Sequence, residues 1–323
     1  MWKSFEKPGL GFANEFSQKM ANLNRVKPFL FPDLASASKL FLFSDYSGAH
    51  KDAAFNTYSF FLSNHINFEV WDKFRLELRG RHSLGSSIIS YKKLNDGRKF
   101  RAMPEFLAIN DCLEGILVTF LVDKSLPSLF DVKPDLSNPV YSEFTFFDKN
   151  SFERLLRIVQ FAAFLLAGLS GDTQEIFWFT DEDEIVADEK RMDAFAKIAA
   201  KSIDVCVPTG NRTLRLGTTA LDNDTLILED MAAIPDLACG GLTEIFSRTK
   251  REQGVPTSHN FELLSSNISD KCRLVIDWLA RPRDPLAKLV FCIGKNSLGQ
   301  RYFNKLDFRQ TENLNDNDSA IRA

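Results

Sequence analysis

This chain has no closely spaced cysteine pairs, no long uninterrupted apolar run and no excess of positive charge. Its five cysteines are scattered, in an odd count and without a Cys-x-x-Cys motif: Cys112, Cys206, Cys239, Cys272 and Cys292. This pattern excludes a zinc site built on cysteine pairs and is typical of reduced thiols in a cytosolic protein. We therefore expect each cysteine to be a small, buried core residue.

No segment has the length and apolar character of a membrane span. The stretch from Met1 to Pro8 lacks the apolar core of a signal peptide. The most apolar run, Leu155 to Leu169, contains Arg157 and Gln160 and is too short to cross a bilayer. We expect a soluble, cytoplasmic protein with no membrane partner.

Positive charge is not in excess. The 323 residues carry a formal net charge of -3, so the chain lacks the global positive field of many nucleic-acid-binding proteins. A local basic patch is still enough to contact phosphates, although a solvated surface is its more common role. The densest such patch interleaves Tyr91 and Phe100 with Lys92, Lys93, Arg98, Lys99 and Arg101.

Several common catalytic motifs are also missing. The chain contains no P-loop, no Gly-x-Gly-x-x-Gly fingerprint and no Ser-His-Asp order, so no motif indicates an NTPase, a dinucleotide-binding enzyme or a serine hydrolase. His50 and His82 lie among polar residues, where a surface or capping role is more common than general-base catalysis.

The N-terminal part of the chain contains a clear strand that ends near a carboxylate. Residues 40–43 form an apolar run, Asp45 follows it, and Ser47-Gly48 is a turn signal. Residues 57–62 again have the composition of a strand, which predicts a hairpin with His50 in its loop. Asp45 is either a turn former or a residue placed to hold a cation.

The rest of the chain alternates between predicted helices and strands, which indicates an α/β fold. Val70 to Arg81 fits a helix, with a strand as the rival interpretation because Phe74, Leu76 and Leu78 also alternate with charged residues. The other expected strands are 87–94, 115–123, 175–180, 226–228, 289–293 and 301–308. The other expected helices are 98–113, 150–169, 188–204, 233–248 with Pro235 in its first turn, and 269–280.

These elements suggest four parts. We expect an N-terminal arm (1–37), a core (38–250) with a long insertion at 125–148, C-terminal helix and strands packed on the core (251–310), and a polar tail (311–323).

Three acidic positions share one context, the end of a strand or the start of a helix beside it. These are Asp45, Asp181 or Asp183, and Asp236. Converging carboxylates repel each other and usually require a cation, and oxygen ligands suit Mg²⁺ or Mn²⁺. The competing interpretation is that the acids near 181 and at 236 only complement helix dipoles. Ala238, Gly240 and Gly241 would let the helix of Asp236 approach the sheet closely.

Asp45-Tyr46-Ser47-Gly48 resembles the Asp-Glu-Ser-Gly motif of a bacterial family of unassigned function with a ribonuclease H-like fold. The segment 234–238 resembles that family's late helix, and the strand that ends at Asp181 corresponds in order to a family strand that closes on Asp. Lys93 is similar to the lysine of the family's Glu-x-Lys motif. The resemblance covers about residues 38–250.

The resemblance implies a ribonuclease H-like mixed sheet flanked by helices, and a divalent-metal-dependent nuclease that acts on DNA or RNA. Asp45, Asp181 or Asp183, and Asp236 would be the metal ligands, and Lys93 would orient a phosphate or carboxylate. The alternative is a catalytically inactive module of the same fold that binds a nucleic acid or a protein.

Two positions depart from the family pattern. Tyr46 stands where the family has the glutamate after its first aspartate, and Tyr91 stands where it has the glutamate two residues before the lysine. The candidate replacements for these two carboxylates are Glu77, Glu105, Asp111 and Glu114, and their spacing does not distinguish among them.

Overall fold

One mixed sheet organises the chain in the computed structural model, which describes residues 1–64, 68–126, 128–129, 143–180, 185–207, 212–222, 224–253, 268–281, 285–296 and 298–308. Its strands are β1 (Lys39–Ser47), β2 (Phe55–Ser63), β3 (Gly115–Asp123), β4 (Glu175–Thr180), β5 (Thr213–Thr218), β6 (Leu286–Lys295) and β7 (Arg301–Leu306). The strand order is β5-β4-β1-β2-β3-β6-β7. Strands β1, β2 and β3 pair antiparallel, as do β6 and β7, while the β1–β4, β4–β5 and β3–β6 pairs are parallel.

Helices cover both faces of this sheet. They are α1 (Gly11–Val26), α2 (Phe68–Arg81), α3 (Gly97–Asn110), α4 (Lys149–Leu169), α5 (Glu189–Cys206), α6 (Ile227–Gln253) and α7 (Asp270–Leu279). Helices α1, α4 and α5 pack on one face in one apolar cluster. Helices α2, α3, α6 and α7 pack on the other face in a second cluster. This mixed sheet flanked by helices confirms the expected α/β fold class.

The predicted hairpin is confirmed and brings Asp45 to the α6 side of the sheet. Asp45 pairs with Ser59 across the two antiparallel strands. The turn depends on Gly48, which has a φ of +90°, and a Cβ there would lie 2.1 Å from the carbonyl oxygen of Phe55. Because side chains alternate along a strand, Phe41, Phe43 and Asp45 share one face, while Tyr46 lies on the other.

Most of the predicted elements are present. Residues 70–81 form the helix α2 and not the rival strand, and β3 is buried along its whole length. Asp96, Asp148 and Asp188 each accept backbone N–H hydrogen bonds at the start of α3, α4 and α5. Such caps satisfy the unpaired donors of a first turn, which is why these helices begin where the sequence predicts.

The expected strand at 87–94 is wrong. Residues 87–90 have no regular structure, and Tyr91–Asn95 is a short 3₁₀ helix. The backbone here is bound by side chains, because Arg79 donates to the carbonyl oxygen of Ser87 at 2.9 Å and the N–H of Tyr91 donates to Asp236 at 2.5 Å. Backbone groups used in this way are not available to a strand ladder.

The expected short strand at 226–228 is also wrong, because α6 begins at Ile227. The Asp222 carboxylate accepts the N–H of Leu228 at 2.7 Å and of Glu229 at 3.2 Å, and so caps the helix. Pro235 consequently lies inside α6 and not in its first turn. Asp236 therefore lies within the helix, more than two turns from its start.

Two elements were not predicted. Helix α1 lies in the segment expected to be an arm, and it inserts Phe12, Phe16 and Met20 into the core. Strand β5 forms one edge of the sheet. Residues 127 and 130–142 of the expected insertion, and the expected tail, lie outside the described residues.

Four of the cysteines are buried as expected, but Cys112 is exposed, so its expected core role is wrong. In the described part of the chain, no helix is both long and apolar enough to cross a membrane.

Candidate active site

A cavity of about 450 Å³ lies where the carboxyl end of β1 and the segment that follows β5 meet the first half of α6. Such strand ends are common ligand sites in α/β proteins. Its wall consists of Ser44, Asp45, Ile88, Ile89, Ser90, Lys92, Lys93, Thr219, Ala220, Glu229, Ala232, Ala233 and Asp236. Three of the predicted site residues, Asp45, Asp236 and Lys93, therefore line one cavity.

Asp45 and Asp236 come from different elements and meet around Cys239. The thiol of Cys239 donates to the carbonyl oxygen of Asp45 at 3.1 Å and more weakly to that of Thr57 at 3.6 Å. Burial raises the pKa of the Cys239 thiol, and the charges of Asp45 and Asp236 add to this effect. Cys239 is therefore a neutral spacer between strand and helix, and both carboxylates lie close enough to affect it.

Asp236 is held by the segment that carries the lysines. Its Oδ2 accepts a 2.5 Å hydrogen bond from the backbone N–H of Tyr91. Lys92 and Lys93 follow directly in the 3₁₀ helix and are exposed at the cavity. A hydrogen bond between a charged carboxylate and a backbone N–H is stronger than one between two neutral groups, so this bond holds the carboxylate firmly in place. The position of Asp236 is thus coupled to the position of both lysines.

The side chain of Tyr91 is itself held in place by a hydrogen bond and by close packing. Its hydroxyl donates to Glu244 at 2.7 Å, and Glu244 also accepts the hydroxyl of Ser269 at 2.7 Å at the start of α7. The ring lies against Gly240, where a Cβ would lie 2.2 Å from Cγ of Tyr91. The absence of a side chain at Gly240 and Gly241 therefore leaves space for Tyr91 and Val275, not for a strand. The expectation that these two glycines let α6 approach the sheet closely is wrong.

Tyr46 does not take the place of the missing glutamate in the cavity. Its hydroxyl lies 2.6 Å from Oγ of Ser44 and accepts from Thr180 at 3.4 Å, and its ring lies beneath the guanidinium of Arg154. Tyr46 is not among the cavity-lining residues. The Tyr46 side chain therefore takes part in a hydroxyl network on the opposite face of the sheet, and it adds no carboxylate to the cavity.

None of the four acids considered as replacements lines the cavity. Glu77 and Glu105 lie near Arg81, and Glu105 also contacts His82 at 3.0 Å. Asp111 accepts from the indole of Trp278 at 2.6 Å and pairs with the buried Lys288 at 2.7 Å. Glu77, Glu105 and Asp111 thus have partners outside the cavity. Neither His50 nor His82 lines the cavity.

Glu229 is an acidic cavity residue that the sequence analysis missed. It lies seven residues before Asp236 on α6, which is two helical turns, so both face the same side. The small side chains of Ala232 and Ala233 lie between them and leave the cavity open. An N-terminal helix signal was present in Asp222 and in the acidic pair 229–230, but residues 226–228 were interpreted as a strand.

The third predicted acidic position is not described. Asp181 and Asp183 lie outside the described residues. Thr180, which precedes Asp181 in the chain, pairs with Ser44 next to Asp45. Within the described ranges, no group of three or more His, Cys, Asp or Glu side chains is placed to hold a metal ion.

No protein-family model matches the chain, and a search of curated proteins finds no match. A search of solved structures finds similarity to the ribonuclease H2 from Pyrococcus horikoshii OT3. The identity is 11% and the TM-score 0.32, over 73% of this chain and 96% of that one. No family membership follows. A TM-score this low carries no information about the site residues or an activity.

Proposed function

We propose that the protein is a divalent-metal-dependent nuclease that hydrolyses phosphodiester bonds at this cavity. One observation carries the proposal: Asp45 and Asp236, which are distant in sequence, line the same cavity together with Lys93. Carboxylates beside ammonium groups suit a substrate that brings phosphates and a cation together. The motif resemblance to the bacterial ribonuclease H-like family points the same way.

The donor set fits Mg²⁺ or Mn²⁺. Both are hard cations that prefer oxygen ligands, and Mg²⁺ is commonly held by one or two carboxylates, with water and substrate phosphates completing its shell. Asp45 and Asp236 supply two carboxylates, and Asp181 or Asp183 would supply a third. When bound, the ion provides Lewis acidity and lowers the pKa of a coordinated water.

The protein's own residues have separate roles in this proposal. Lys93 and Lys92 attract and orient a phosphate, since both are exposed at the cavity. The N–H of Tyr91 fixes one oxygen of Asp236 and so restricts the directions that the carboxylate can face. Glu229 adds a further negative charge to the wall, which strengthens the attraction for a cation.

The test is a cleavage assay on labelled single-stranded and duplex DNA and RNA with Mg²⁺, Mn²⁺ or EDTA. We expect metal-dependent cleavage by the wild type, loss of cleavage in Asp236→Asn, and weakened cleavage in Lys93→Ala. Asp193→Asn is the matched control, because Asp193 is an exposed acid of α5 on the opposite face of the sheet. Metal-stimulated cleavage that survives Asp236→Asn would remove Asp236 from the mechanism.

The second candidate is an inactive module that binds a nucleic acid or a protein. Tyr46 favours this candidate, because the Tyr46 side chain lies on the opposite face of the sheet and supplies no carboxylate where the family has one. Metal-independent binding to an oligonucleotide with no cleavage under any metal condition would support this candidate over the nuclease.

A further inference from the structure

A second cavity lies on the face of the sheet opposite the candidate active site. It has a volume of about 500 Å³ and is bounded by α1, α4 and α5, which pack on that face. Its core side is apolar and includes the buried rings of Phe12, Phe144 and Phe152. Cavities of about 300–1,000 Å³ with mostly apolar walls are typical of small-molecule sites. The proposed nuclease reaction does not use this cavity.

The cavity follows the length of α4. Its α4 wall consists of Phe152, Leu156, Gln160 and Phe164. Because these residues are four apart, they form one stripe along the helix, and the part from Phe152 to Gln160 spans about 12 Å. Phe144 stacks on Phe152 with ring centroids 5.6 Å apart and also lines this end of the cavity. This part of the cavity is long and apolar, which suits an extended aliphatic chain.

Gln160 interrupts this apolar stripe. Its side chain lines the cavity, and its Oε1 atom is buried without a hydrogen-bond partner. Folded proteins leave few buried polar groups unpaired, so such a group needs an explanation. The amide can accept a hydrogen bond through its oxygen and donate through its NH₂ group. The polar end of a ligand that lies beside Gln160 would therefore have a hydrogen-bonding partner there.

The start of α1 lies beside Gln160. Phe12, in the first turn of α1, has its ring centroid 6.3 Å from that of Phe164, which is one helical turn beyond Gln160. The N-cap residue Leu10 provides no side-chain cap, and the first turn contains no acidic residue. The first backbone N–H groups of this helix are therefore available to an anion. A Cβ at Gly11 would meet nothing within 4 Å, so there is open space at this helix start.

The charged residues of the cavity wall are mainly cationic. Three cations, Lys197, Lys201 and Arg301, and one acid, Glu143, line it, which gives the wall a net charge of +2. Glu143 pairs with Lys197 at 3.0 Å, whereas Lys201 has no ion-pair partner among the residues that the structure describes. Arg301 pairs at 3.7 Å with Glu15 of α1, which does not line the cavity. The wall is therefore complementary in charge to an anion.

We propose that this cavity binds an anionic amphiphile with one aliphatic chain, the chemical class of medium-chain fatty acids. The carboxylate lies near Gln160, where the N–H groups of α1 and the cationic side chains offset its charge. The chain extends along the α4 stripe toward Phe152, which removes its apolar surface from water. The proposal does not depend on the nuclease function, because the two cavities lie on opposite faces of the sheet.

The experiment is calorimetric titration of the full chain with decanoate, decanol and acetate. Decanol has the chain without the charge, and acetate has the charge without the chain. The wild type should bind decanoate saturably and more tightly than decanol, and it should not bind acetate measurably. No saturable binding of decanoate, or decanol bound as tightly as decanoate, would overturn the proposal.

Two matched variants test where the carboxylate lies. Gly11→Asp adds a negative charge at the start of α1 and should weaken decanoate binding about 10-fold or more, because like charges repel at close range. Gly11→Asn has nearly the same shape without the charge, so it should bind decanoate as the wild type does. Lys201→Gln should weaken binding about 2- to 5-fold, the effect of one exposed ion pair.

Thermal unfolding separates lost binding from lost folding. Gly11→Asp should unfold at or above the wild-type temperature, because an acid in the first turn of a helix is favourable. Equal decanoate affinities of Gly11→Asp and Gly11→Asn would refute the placement of the carboxylate at α1. Asp236→Asn should bind decanoate as the wild type does, so failure of the nuclease proposal would leave this result unchanged.

Discussion

Replacing Gly240 by alanine should displace the segment that carries the lysines of the candidate site. A Cβ at this position would lie 2.2 Å from Cγ and 2.6 Å from Cβ of Tyr91. Carbon atoms in contact are normally about 3.5 Å apart, so the Tyr91 ring would have to move by about 1.3 Å. The root of an aromatic side chain cannot move this far without its backbone. The hydrogen bond from the N–H of Tyr91 to Asp236 should therefore break or lengthen.

Three contributions set the size of the effect on stability. Overpacking in a core costs about 1–3 kcal/mol. Loss of a hydrogen bond to a charged group costs about 1.5–3 kcal/mol. The higher helix propensity of alanine returns about 1 kcal/mol. Gly240→Ala should thus lower the free energy of unfolding by about 1.5–5 kcal/mol, despite a substitution that normally stabilises a helix.

Gly80→Ala is the matched control, because Gly80 is an exposed residue of α2 and a Cβ there would contact nothing within 4 Å. This variant should gain about 0.5–1 kcal/mol. Urea unfolding of both variants and the wild type measures the difference. Equal or same-sign changes in the two variants would refute the packing of Tyr91 on Gly240.

Two further predictions concern the ionic contacts that support the site. Asp230 is fully buried and accepts hydrogen bonds from two buried arginines of α2 at 3.0 and 3.3 Å. Asp230→Ala should therefore lower the free energy of unfolding, measured in urea, by about 3–5 kcal/mol. A decrease below about 1 kcal/mol would contradict this prediction. Burial acts to raise the pKa of Glu244, but hydrogen bonds from Ser269 and Tyr91 outweigh it and hold the pKa below its ordinary value of 4.5. This stabilisation is complete above pH 4.5 and is lost as the pH falls further, because the unfolded state then binds more protons. Urea midpoints from pH 7 to pH 3 should therefore fall less steeply for Glu244→Gln than for the wild type, and identical slopes would contradict the assignment.

The central strands could be predicted from the sequence because burial on both faces produces continuous apolar runs. Residues 115–123 of β3 are buried throughout, and the run at 40–43 is followed by a turn that requires Gly48. Edge strand β5 has no such signal, since Thr213 and Arg215 are exposed and the strand has only six residues. Short, half-exposed strands depend on a neighbour for their structure, and the neighbour is not visible in the local sequence.

The errors near the site have one physical cause, the use of backbone groups by side chains that are distant in sequence. Tyr91 donates its N–H to Asp236, and Arg79 binds the carbonyl oxygen of Ser87, so the apolar residues 88–89 form a cavity wall and not a strand. Local periodicity contains no information about such contacts. The convergence of Asp45 and Asp236 was predicted, but the expected first-turn position of Asp236 was wrong, because Asp236 lies inside α6 where this helix packs on β1.

The most direct test of the central claim is calorimetric titration of Mn²⁺ into the wild type, Asp45→Asn and Asp236→Asn. If the two aspartates share one metal site, the wild type should bind Mn²⁺ and each variant should lose most of that affinity, while Asp193→Asn binds as the wild type does. Wild-type Mn²⁺ affinity in both aspartate variants, or no binding by the wild type, would contradict a metal site at this cavity.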